Sequence, residues 1–125
     1  MSRKFNALMA LDAEDRLFNY LASLSEEMAK VTAVKAAALL AERWDAAKAD
    51  MLRRGDRRPV YLGRDNERQW LASAITTYQQ DPLWHSCPEQ HVRNLMANLP
   101  PDAAAYVACK IAHYVCEFSE FMSFS

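Results

Sequence analysis

Six side chains of the kind that hold soft metals crowd into residues 85–116: His85, Cys87 and His91, then Cys109, His113 and Cys116. Imidazole and thiolate are the ligands of structural and catalytic zinc, so a zinc site is the first chemistry to weigh. Spacing tempers it. On one helix Cys109 and Cys116 lie ~10.5 Å apart along the axis, and Zn–S bonds of ~2.3 Å cannot close that gap. At most Cys109 with His113, or His113 with Cys116, can join two ligands from 85–91. No CxxC, HExxH or ExxH spacing occurs. The expectation is no metal and no cofactor, with thiols as small core residues and histidines as surface or capping groups.

Thiol chemistry is the second candidate. His113 follows Cys109 by four residues, which is contact distance on a helix. A mid-helix thiol, however, lacks the free N–H groups of a helix start that lower thiol pKa and stabilise an oxyanion. Cys87 is better placed for a reactive thiol, close to a helix start and flanked by His85, but its plainer reading is a buried or partly exposed loop cysteine. The chain is therefore expected to be non-catalytic.

The third candidate is recognition by arginine. Residues 51–70 hold Arg53, Arg54, Arg57, Arg58, Arg64 and Arg68 against Asp56, Asp65 and Glu67, with no lysine. Guanidinium groups favour planar, bidentate partners such as carboxylates and phosphates. Tyr61 and Trp70 interleave rings that stack on bases or on a partner surface. The competing account is a solvated helix end whose arginines pair with Asp45, Asp50, Asp56 and Glu67. Outside this window the chain is acidic. The whole carries 15 basic and 16 acidic side chains, so a domain-wide basic face of the nucleic-acid kind is absent. Trp84 adds a large ring in an interhelical segment, a residue type common at binding hot spots.

These residues must be positioned by helices. In 125 residues there are only two glycines, Gly55 and Gly63. Tight hairpins and bulges need positive φ, so so few glycines disfavour sheets. The same scarcity excludes a dinucleotide fingerprint, which needs three glycines. It also excludes a phosphate loop, since these two are followed by Asp56 and Arg64. Hydrophobic periodicity predicts a compact single-domain all-α bundle of about five helices, near 12–24, 26–54, 65–80, 87–98 and 101–122. Asp12 is the expected first cap. Ser23 with Glu26 reads as a capping box separating the first two helices, and Ser86 with Glu89 as another. Gly55 suits the residue just past the end of the long second helix. The last helix carries Val107, Ile111, Tyr114, Val115, Phe118, Phe121 and Met122 on one side. Small residues Ala105, Cys109, Ala112 and Cys116 on the other side predict a central position for it.

Three cysteines cannot all pair within one chain, and Cys109–Cys116 exceeds disulfide reach. Free thiols in a reducing, cytoplasmic setting are expected. The apolar run from Phe5 to Leu11 is too short for a signal peptide or a membrane span. The functional expectation is a non-catalytic regulator, inhibitor or accessory subunit, of the small phage or mobile-element type. It would dock on a larger protein or nucleoprotein complex through Arg53, Arg54, Arg57, Arg58, Tyr61, Arg64, Arg68 and Trp84. The alternative is a small nucleic-acid-binding protein using the Arg53–Arg68 segment. A homodimer through the C-terminal helix is a further expected arrangement, suggested by the aromatic tail around Phe124.

Overall fold

The computed structural model describes residues 7–55 and 65–118. Within them the chain forms five α-helices: α1 (Ala7–Ala22), α2 (Glu26–Arg53), α3 (Asp65–Tyr78), α4 (Glu89–Leu95) and α5 (Pro101–Phe118). A short 3-10 turn, Pro82–His85, links α3 to α4. The described residues contain no strand, and the fold is the expected all-α bundle.

Alanine patterning explains how it packs. Ala29, Ala33, Ala36 and Ala37 of α2 share one buried cluster with Ala104, Ala105, Ala108 and Ala112 of α5. Side chains this short let two helix backbones approach closely, and α2 against α5 is the most extensive interface of the fold. Larger groups close the remaining space: Leu17, Leu40, Leu71, Val92, Ile111 and Trp44 are all essentially without solvent contact. Removing a buried ring like that of Trp44 costs about 3–5 kcal/mol, from lost transfer energy and the cavity left behind. α2 packs on α1, α3, α4, α5 and the 3-10 turn, so it shares the centre of the bundle with α5.

Helix ends differ from expectation where a local signal had two uses. α1 is already helical at Ala7, and Asp12 lies inside it. The Asp12 carboxylate pairs with Arg16 one turn later, at 3.0 Å, instead of capping. Burial of Ala10, Ala13, Leu17 and Leu21 extends the apolar stripe upstream of Asp12. The break between α1 and α2 is present, but Ser25 makes the cap: its side chain accepts from Met28 N at 3.2 Å. The Ser23 hydroxyl instead donates to the carbonyl of Tyr20 at 2.6 Å, closing the end of α1. Arg54 is the C-cap of α2, and Gly55 follows at φ +74 in the left-handed region, as its position predicts.

The 87–98 helix is corrected to the shorter α4. Ser86 closes the 3-10 turn, and Pro88 precedes α4 without any side-chain cap. Asn98 adopts φ 67, which ends the segment before Pro100 and Pro101 start the next helix. The third helix stops at Tyr78, because Asp81 caps the following turn by accepting from Leu83 N at 2.9 Å. Residues 119–122, the expected last turn of the final helix, lie outside the described residues. No helix among the described residues is long and apolar enough to cross a membrane.

Candidate functional site

The arginine segment begins at the C-terminal end of α2. Arg53 and Arg54 both turn back on Asp50, at 3.3 and 3.2 Å. Arg68, on the first turns of α3, reaches across to α2 and grips Asp45 with two bonds of 3.2 Å, a bidentate fork. Cations at the negative end of the helix dipole are favourably placed, and carboxylates one turn back complete the pairing. Beside them Leu52 is 71% exposed, although a core position was open to it in the stripe. The buried neighbour Met51 takes that position instead. Arg57, Arg58, Tyr61 and Arg64 lie outside the described residues.

Trp84 is elsewhere. Its backbone carbonyl accepts a hydrogen bond from Lys35 Nζ at 3.0 Å, and the same ammonium sits 4.3 Å from the centre of its ring. Lys35 also meets Glu89 at 3.5 Å, and Glu89 meets Arg93 at 3.1 Å. Lys35 to Arg53 is eighteen residues of continuous helix, a rise of ~27 Å. The structure therefore does not bring Trp84 together with Arg53 and Arg54. It makes Trp84 part of a clasp that fastens the 3-10 turn and α4 to α2. The Arg93 hydrogen bond holds the Glu89 carboxyl below its ordinary range, with Lys35 adding to the effect.

Cys87 lies under this clasp, buried, and burial pushes its thiol pKa up despite the nearby Lys35. That is the opposite of an activated thiol. The seven-residue α4 offers it no side-chain-capped helix start. His85 is exposed at the end of the 3-10 turn, and His91 lies against Tyr20 with ring centres 4.1 Å apart and planes tilted by 40°. Cys109 is buried on α5, and the side chain of Cys116 is outside the description. Among the described residues no three His, Cys, Asp or Glu side chains come together as a metal site.

Two features escaped the sequence reading. Arg43 donates to the carbonyls of Met96 and Leu99, at 3.4 and 3.3 Å, and so satisfies the end of α4. No local spacing points to this, because the partners are more than fifty residues away. The second is a groove of about 490 Å³ between α1 and α5, walled by Glu14 and Phe18 on one side. Tyr106, Cys109, Lys110, His113, Tyr114 and Glu117 form the other wall. Phe18 and Tyr114 meet edge to face with centres 5.5 Å apart, and Lys110 lies 5.4 Å from the centre of the Tyr106 ring. A signal for it was present: residues 106, 110, 113 and 117 follow a 4-3-4 spacing, a polar and aromatic stripe on an otherwise buried helix.

The described residues thus define a small all-α helical bundle. Comparison with family models, with curated proteins and with solved structures finds no match.

Proposed function

We propose that the protein is a binding module that docks on a larger protein or nucleoprotein complex through the C-terminal end of α2, as a regulator, inhibitor or accessory subunit without chemistry of its own. The observation that carries this is Leu52, a large apolar side chain 71% exposed and set directly beside Arg53 and Arg54. Arginine is enriched at protein interfaces, and an exposed leucine next to two of them in sequence adds apolar area for a partner to cover. Each described arginine of the segment already holds a carboxylate. Paired arginines gain less from phosphate than free ones, since a bound anion must displace Asp45 or Asp50. This supports a protein partner over the nucleic-acid alternative. Trp84 is left out of the docking end, because the clasp holds it ~27 Å away along α2. Self-association belongs to the same binding class, favoured by the outward stripe of α5. A reducing, cytoplasmic setting suits Cys87 and Cys109, both free thiols.

The test is Leu52→Glu, with circular dichroism to confirm the fold. Tagged wild-type protein expressed in its native host should recover a stoichiometric partner, and the variant should lose it. Retention of that partner by the variant overturns the docking end. Electrophoretic shifts at low salt, with log K falling steeply as salt rises, would establish the nucleic-acid alternative instead.

A further inference from the structure

We infer that the α1–α5 face is a self-association seam, on which a second copy of this chain packs with its α5 antiparallel and Lys110 opposite Glu117 of that copy. This deepens the protein-binding reading but rests on different residues, so the two fail separately.

Lys110 and Glu117 are exposed on one stripe of α5, seven residues apart, a rise of ~10.5 Å. Neither has an ion-pair partner among the described residues; the Lys110 ammonium lies only over the Tyr106 ring. One basic and one acidic group at heptad spacing on a single helix are self-complementary in one direction only. Placing a two-fold axis between His113 and Tyr114 sets Lys110 against Glu117 of the second copy and Glu117 against its Lys110. The pair is made twice, as an isologous interface requires. A parallel two-fold would set lysine against lysine and glutamate against glutamate, which repels. A head-to-tail arrangement satisfies one charge and leaves an open chain.

The surroundings supply apolar area for such a seam. The 4-3-4 spacing of 106, 110, 113 and 117 is that of a coiled-coil seam. Phe18, Tyr106 and Tyr114 are partly buried around the groove, each retaining surface for a partner to cover. On α1, Leu11 lies three residues before Glu14 and seven before Phe18, on the same face, and is 49% exposed. Leu8 beyond it is 85% exposed. An apolar strip beside a charge pair is the pattern of an interface whose polar groups fix register while its rings provide affinity.

Charge reversal tests this with built-in rescue. Sedimentation equilibrium over a wide concentration range should show a monomer–dimer equilibrium for the wild type. Lys110→Glu alone and Glu117→Lys alone should each weaken the dimer about tenfold or more. The double variant Lys110→Glu/Glu117→Lys restores the pairing and should return to near wild-type affinity. All substituted positions are exposed, and circular dichroism confirms that the helices remain. Leu52→Glu should leave the dimer unchanged, which separates this inference from the docking end of α2. A wild type that stays monomeric at every concentration overturns the inference. So does a dimer that the double variant fails to restore.

Discussion

In the N-terminal half and middle of α2, Lys35 and Arg43 reach across the bundle to backbone carbonyls of Trp84, Met96 and Leu99. At its C-terminal end, Arg53 and Arg54 turn back on Asp50 of their own helix. The same helix thus carries cations of two kinds. Those of the first kind are partly buried, bond to distant main chain and hold a turn and a short helix in place. Those of the second kind are exposed and paired with side chains one turn away. Arg53 and Arg54 thus pair locally, whereas Lys35 and Arg43 tie separate elements of the fold together. A charge-assisted bond to a carbonyl in a half-buried setting is worth more than an exposed ion pair, which averages under about 1 kcal/mol.

The largest effect is expected at Lys35, whose side chain is only 13% exposed. Lys35→Met keeps the apolar stem and removes the hydrogen bond to Trp84, the ring contact and the Glu89 pair. A loss of about 2 kcal/mol in urea unfolding is expected. If stability is unchanged, the clasp carries no weight. Arg43→Met should cost less, about 1 kcal/mol, because its two bonds are long. It should also speed amide hydrogen exchange in α4 more than in α3; uniform exchange would contradict a capping role.

At the other end, a double-mutant cycle on Asp45 and Arg68 should give a coupling of about 0.2–1 kcal/mol. A coupling above that of the Lys35 clasp would reverse the ranking of the two ends. The smallest effect is acidic. Because the fold depresses the Glu89 pKa, its contribution is present above the ordinary carboxylate range and disappears as pH falls through the depressed value. Glu89→Gln should flatten the stability profile in that acid window and leave the neutral range shallow. An unchanged acid slope would show that Arg93 and Lys35 do not act on this carboxylate.

These contrasts also explain what a sequence can and cannot show. Gly55 was legible as the end of α2, because the left-handed residue past a helix is a local requirement. The stripe of Leu17 and Leu21 and the small face of α5 were legible from periodicity alone. Ser23 with Glu26 is the wrong cap: the spacing fits a capping box, but α1 runs far enough for Ser23 to close its end and leaves Ser25 to cap α2. Asp12 misled for a related reason: an aspartate four residues before an arginine serves a helix interior as well as its start. Trp84 looked available for binding because nothing near it in sequence covers it. Lys35, which does, lies forty-nine residues away. The groove between α1 and α5 needs both helices in the same way, as Glu14 and Phe18 of its wall come from α1.

The two ends of α2 differ in what they do for the fold: Lys35 fastens other elements to the helix, whereas Arg53 and Arg54 pair with Asp50 of their own helix. Thermal unfolding of Lys35→Met beside the double variant Arg53→Ala/Arg54→Ala tests it most directly. Lys35→Met is expected to lower the Tm by about 6–10 °C, while the arginine variant stays within about 2 °C of wild type. A fall in Tm for the arginine variant as large as that for Lys35→Met would contradict it.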